Sequence, residues 1–155
     1  MQEIRGNIWD YHDQGFPIII TTNGNINHHG ENVMGRGIAL QAKHRFPKLP
    51  KFIGEHIKRV GNVVKYFPEY NLFSFPTKHN YWENSDLELI LESTDYLVRI
   101  VGNLRYTCNG LQPLDKYSKI YLVRPGCENG KLIWKDVSLI LENYLDDSYF
   151  VVNKI

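Results

Sequence analysis

Pro17-Ile18-Ile19-Ile20-Thr21-Thr22-Asn23-Gly24 is the stretch on which the fold turns. Its β-branched residues run without polar alternation and stop at Asn23-Gly24. That pattern predicts a strand covered on both faces, the habit of parallel sheets. Working outward, Ile120-Tyr121-Leu122-Val123 repeats it and ends in Arg124-Pro125-Gly126, and Phe150-Val151-Val152 is a third run. Val63 to Phe67 and Asn71 to Phe75 flank Pro68-Glu69 and predict a hairpin or adjacent strands. Helical spacing lies between these runs. Leu87, Ile90, Leu91, Leu97, Val98 and Val101 predict a helix from Ser85 to Val101, with Ser85 and Glu88 as a capping box and Gly102 as its stop. Trp134 to Leu145, Ile38 to Phe46 before Pro47, and Lys48 to Val60 before Gly61 predict three more. The segment 105–116, with Asn109-Gly110 and Pro113, reads as a connection. Strands alternating with helices predict an α/β layer fold with a largely parallel sheet.

Residues 1–155 are expected to form one domain, a usual size that hides about 70% of the unfolded surface. The balance of 18 basic against 17 acidic residues excludes a global attraction to polyanions, so any such binding must be local. Cys108 and Cys127 are too few for a disulfide framework and fit a reducing compartment. Residues 1–10, MQEIRGNIWD, have neither a cationic nor an apolar region of a signal peptide, and no run approaches the roughly 20 apolar residues of a membrane span. A cytoplasmic protein with no membrane partner is expected.

Two glycine-rich loops carry the functional reading. The first follows the Ile18 strand from Thr22 through Gly30 to Gly35-Arg36-Gly37 and enters the helix near Ile38. The second, Pro125-Gly126-Cys127-Glu128-Asn129-Gly130, follows the Ile120 strand and leads to the Trp134 helix. Glycine lets the backbone approach a ligand closely, and a helix amino end carries partial positive charge. Together they form a phosphate site at the edge where open α/β sheets bind ligands. Neither loop matches the Walker pattern. Gly35-Arg36-Gly37 lacks the third glycine of a dinucleotide fingerprint, which disfavours both a P-loop NTPase and a Rossmann dehydrogenase.

Gly6-Asn7-Ile8, the asparagine-rich turn at Asn23 and Asn25, Val33-Met34-Gly35-Arg36-Gly37-Ile38-Ala39, Phe75-Pro76-Thr77-Lys78, the second loop, and Leu132-Ile133-Trp134 together resemble a macrodomain across nearly the whole chain. Within that family the chain resembles the macrodomains of DNA ADP-ribosyl glycohydrolase antitoxins and the terminal ADP-ribose protein glycohydrolase group. The resemblance implies a three-layer α/β/α fold with a mixed, mostly parallel sheet and an ADP-ribose cleft at its edge. It also implies a hydrolase that removes ADP-ribose from a modified nucleobase or protein at the distal ribose C1″. The alternatives left open are an ADP-ribose 1″-phosphate or acyl-ADP-ribose hydrolase and a non-catalytic reader.

Carried over position by position, Gly6, Asn7 and Ile8 fall where the family holds adenine. Asn7 replaces the usual acid there, so its amide oxygen accepts from the amino group without bringing charge. Met34, Gly35, Arg36, Gly37 and Ile38 would wrap the diphosphate. Pro125, Gly126, Cys127, Glu128, Asn129 and Gly130 would close over phosphate and distal ribose, with Thr77 beside them. Lys78 matches the lysine that acts at the anomeric carbon, and Asn23 and Asn25 approach the distal ribose as further catalytic candidates. Gly130 or Lys131 stands where protein-directed relatives carry an acid, which weakens a carboxylate-linked substrate and leaves a nucleobase.

A lysine serves this chemistry as a nucleophile toward an opened aldehyde or as an acid–base group if burial lowers its pKa. His28, His29 and Glu31 invite a metal, but no Cys/His cluster completes a site, so neither metal nor cofactor is expected. Cys127 reads as small packing in a turn rather than an activated thiol. Tyr81 and Trp82 read equally as stacking or packing residues. The basic run Lys43, Arg45, Lys48, Lys51, Lys58 and Arg59 reads as a solvated helix face before a surface for a nucleic-acid substrate.

Overall fold

A computed structural model describes residues 1–106, 114, 115 and 117–154. The strands are β1 (Gln2–Arg5), β2 (Ile18–Asn23), β3 (Lys65–Phe67), β4 (Leu72–Lys78), β5 (Ile120–Leu122) and β6 (Tyr149–Asn153). The helices are α1 (Ile8–Asp13), α2 (Gly37–Arg45), α3 (Leu49–Val60), α4 (Leu87–Arg105) and α5 (Trp134–Glu142). One six-stranded sheet has the order β1-β6-β5-β2-β4-β3, and every neighbouring pair is parallel except β3 with β4. The fold is α/β with a mixed, mostly parallel sheet.

Side-chain alternation along the strands creates two cores. Ile19, Phe73, Phe75, Ile120, Leu122 and Val151 pack on one face with Ile90, Leu97 and Val101 of α4 and Val137 and Leu141 of α5. Ile18, Ile20, Leu72, Tyr121 and Val152 pack on the other with Ile8 and Trp9 of α1, Ile38 and Ala42 of α2, and Leu49 and Ile53 of α3. Central strands apolar at consecutive positions are therefore buried on both faces, as the Ile18 run predicts. These three layers are helix, sheet and helix.

Four expectations need correction or completion. β1 and α1 carry no apolar run of their own, since β1 is a mostly exposed edge strand fixed by pairing Gln2–Arg5 with Phe150–Asn153. The cap of α4 is Asp86, whose side chain accepts from the Glu88 amide at 3.0 Å, and not Ser85. α4 passes through Gly102 to Arg105 because one helical glycine costs only about 1 kcal/mol. The Trp134 helix ends at Glu142, three residues early. Most of the predicted connection 105–116, with Cys108, lies outside the described residues.

Candidate functional site

Three adjacent strands deliver the site. β2 lies between β5 and β4, so the loop after β2, the loop after β5 and the end of β4 emerge side by side at the carboxyl edge of the sheet. A cavity of about 1070 Å³ opens there. Its walls include Gly6, Asn7 and Ile8 beyond β1, Asn23 and Gly35 to Ile38 after β2, Thr77 and Lys78 in β4, and Gly126, Glu128, Asn129 and Gly130 after β5. Asn25, Met34, Pro125 and Cys127 do not line it. Met34 instead is 2% exposed and belongs to the core on the α1–α3 face.

The two glycine loops converge. A Cβ on Gly37 would stand 3.1 Å from Asn129 Nδ2, and Lys78 Nζ donates to the Asn129 carbonyl at 3.4 Å. Gly37 starts α2 at φ 57°, and no side chain caps that helix amino end. Its first amides thus keep their donor capacity at the cleft wall. Gly126 has φ 74°, and a Cβ on Gly130 would come within 2.0 Å of Ser85 Oγ and 2.5 Å of the Gly126 carbonyl. Ser85 N donates to the Gly130 carbonyl at 2.9 Å, which ties the second loop to the approach of α4.

Lys78 is half-buried at the end of β4. Desolvation, followed by the positive charge of Arg36, lowers its pKa from the usual lysine value. Its backbone carbonyl accepts from Asn62 Nδ2 at 3.1 Å.

The asparagines tie the loops together. Asn23 Nδ2 donates to the Val33 carbonyl at 2.8 Å, while its Oδ1 accepts from the Asn25 amide at 3.0 Å and from Asn32 Nδ2 at 3.2 Å. Asn25 Nδ2 donates to Asn80 Oδ1 at 3.1 Å, and its Oδ1 accepts from the Tyr81 amide at 2.6 Å. Both amide groups are engaged within the protein. Asn7 caps α1, with Oδ1 accepting from the Trp9 amide at 3.0 Å, so the oxygen expected to meet adenine has one remaining acceptor direction.

Cys127 packs against the α4–α5 core, donates to the Pro125 carbonyl at 3.5 Å, and has its thiol pKa raised by burial. This agrees with packing rather than thiolate chemistry. Tyr81 and Trp82 remain 53% and 66% exposed and both line the cleft.

Sequence reasoning passed over Arg124 and Lys154, which also line the cavity, as does Lys131. The rule that ligands sit at strand carboxyl ends, applied to β5 and β6, points to Arg124 and Lys154. Lys154 pairs with Glu128 at 3.3 Å and Arg124 with Glu3 at 3.2 Å.

No family model matches the chain. A DNA ADP-ribosyl glycohydrolase from Thermus aquaticus is 30% identical over 124 residues, covering 74% of this chain and 31% of the relative. The chain thus spans about a third of that relative's length. The macrodomain of Mycobacterium tuberculosis DarG matches with a TM-score of 0.66 at 25% identity, covering 88% of this chain and 86% of that one. The macrodomain of Thermus aquaticus DarG gives 0.71 at 24% identity, covering 99% and 97%. Thermosipho africanus DarTG in complex with ADP-ribose gives 0.69 at 18% identity, covering 97% and 40%. The last two are likenesses of fold.

Proposed function

This chain is a macrodomain related, at modest identity, to the DarG DNA ADP-ribosyl glycohydrolase macrodomains, and from that premise we propose that its cleft binds ADP-ribose and hydrolyses ADP-ribosyl conjugates. The bond broken joins the distal ribose C1″ to a modified target, with a nucleobase ahead of a protein carboxylate. The observation that carries this reading is the convergence of both glycine loops on Lys78 through Asn129. The Thermosipho relative bound to ADP-ribose supports the choice of ligand.

Adenine lies at Gly6, Asn7 and Ile8. The diphosphate follows the Gly35–Ile38 segment and the amino end of α2, and the distal ribose lies under Gly126–Gly130 beside Thr77 and Lys78. Met34, Pro125 and Cys127 shape these loops from behind. Lys78 is the catalytic residue. Its lowered pKa leaves more neutral amine at a given pH, and the neutral amine attacks C1″ as the bond from C1″ to the base breaks, the base leaving with the proton that the amine gives up. Water then hydrolyses the bond between Lys78 and C1″, which returns the free amine and leaves the new hydroxyl on C1″ of ADP-ribose. Asn23 and Asn25 act as positioning residues through the bonds that hold the first loop and the 79–84 segment.

Two measurements test this. ADP-ribose at about 100 times its Kd should stabilise the fold by roughly 2.7 kcal/mol, read as a thermal shift. Release of ADP-ribose from a modified oligonucleotide should fall by about two orders of magnitude or more in Lys78→Ala, in keeping with loss of a catalytic group. No thermal shift removes the cleft assignment, and unchanged release removes Lys78. A reader function is the second reading, favoured by Gly130 and Lys131 where an acid would stand. Binding without turnover of any conjugate would select it.

A further inference from the structure

The fold divides the basic run of residues 43–59. Arg45 is taken by Asp13 at 3.1 Å and lies over the Trp9 ring. Lys48, Lys51, Lys58 and Arg59 are exposed and carry no ion pair among the described residues. At 3.6 residues per turn these four share one sector of about 100° on α3 and its first flanking residue. Leu49 and Ile53 point the other way, into the core. Glu55 is the one acid on the exposed face. With a net charge of +1 for the whole chain, the stripe is a local concentration and not part of a general excess.

One end of the stripe is joined to the cleft. The Asn32 amide donates to the Pro50 carbonyl at 2.8 Å, and a Cβ on Gly30 would stand 3.3 Å from Lys58 Nζ. The first glycine loop thus runs along α3 and meets Lys58. Just past that helix, Asn62 Nδ2 donates to the Lys78 carbonyl at 3.1 Å. The carboxyl end of α3 is therefore fastened to the residue that ends β4.

We propose that this face of α3 is a track for the phosphodiester backbone of a nucleic-acid strand that carries the ADP-ribosyl group. It rests on reading the cleft as an ADP-ribosyl hydrolase site with a nucleobase target. Lys48 to Lys58 covers about 15 Å of helix, the length of about four phosphates at 3.4 Å each. Ammonium and guanidinium groups neutralise phosphates without reading base edges, so the track adds affinity without sequence preference. A membrane fits the same charges poorly. A helix lying in that interface keeps an apolar side open to the lipid, and the apolar side of α3 is spent on the core.

The test measures affinities by calorimetry in Lys78→Ala, which keeps conjugates intact. The ligands are free ADP-ribose, oligonucleotides with one ADP-ribosylated base extended on its 5′ or its 3′ side, and an acidic ADP-ribosylated peptide. At about 50 mM salt, a strand extended on one of the two sides should bind roughly tenfold or more tighter than ADP-ribose. Its log–log salt dependence should be steeper by roughly 3, about 0.7 for each of the four cations. Changing Lys48, Lys51, Lys58 and Arg59 together to Gln should erase the gain and the added slope while ADP-ribose affinity stays unchanged. Lys48→Arg with Lys51→Arg and Lys58→Arg should keep both. A gain that survives the fourfold Gln variant, that both extensions share equally, that the peptide matches, or that never arises overturns the track. Failure of the parent chain to bind ADP-ribose defeats the hydrolase reading itself and this proposal with it.

Discussion

Lys78 illustrates how one residue takes its chemistry from three neighbours. β4 ends on it, Asn129 holds its amine, and Arg36 faces it with like charge. A nucleophilic amine must lose its proton, so activity should rise with pH and level off once Lys78 is neutral. That rise occurs below the range of an ordinary lysine because the folded pKa is lowered. Arg36→Gln removes the repulsion and should move the rising limb of the pH–rate profile to higher pH; an unmoved limb would show that Arg36 does not tune the amine. At this scale the place of Lys78 in the cleft wall was legible from Phe75-Pro76-Thr77-Lys78, a pattern with chemical identity. The uses made of Asn23 and Asn25 were not. An asparagine reads alike whether it faces a ligand or bridges two loops, and only the fold brings Asn25 to Tyr81.

Among elements, the loops depend on glycines that leave no room for a side chain. A Cβ on Gly54 of α3 would come within 2.1 Å of the Gly30 carbonyl in the first loop. Gly130→Ala would meet Ser85 and the Gly126 carbonyl in the second. Each alanine substitution should destabilise the fold by about 1–3 kcal/mol through overpacking. Each should also weaken ADP-ribose binding, because the displaced loop forms the cleft wall. Parallel denaturation and calorimetry check both effects, and a destabilised variant with full affinity would uncouple the loop from the ligand. The long strands and α2 to α4 were legible because burial imposes regular apolar spacing. β1 and α1 were not, since their places come from backbone pairing with β6 and from the Asn7 cap. The one-residue error at the start of α4 arose because Ser85 and Asp86 are both good caps, and the Gly130 contact claims the first.

For the molecule as a whole, His56 sets an acid limit. It is 7% exposed on α3, its Nε2 meets the Val63 carbonyl at 3.2 Å, and its Nδ1 has no partner. Burial lowers its pKa below the ordinary 6.5, aided by the charges of Lys65 and Arg59 and opposed by the Val63 carbonyl. The unfolded chain therefore takes up the proton first as pH falls. Stability should be complete above about 6.5, decline below it, and flatten beneath the lower folded value. Denaturant midpoints between pH 7.5 and 5 should fall in the wild type and fall less steeply in His56→Gln. Equal slopes would place the acid sensitivity elsewhere. The layered architecture was legible because a central strand apolar at every position needs cover on both sides. The Ile18 run met that requirement before any partner was known.

The chain leaves β2 for β4 on one side and later returns past it to β5 on the other. The cavity opens at that parting, and the hydrogen-bonded spacing of the sheet sets the distance between the strand ends that line it. A cleft framed by neighbouring strand ends in this way owes its breadth to backbone pairing rather than to side chains holding its walls apart.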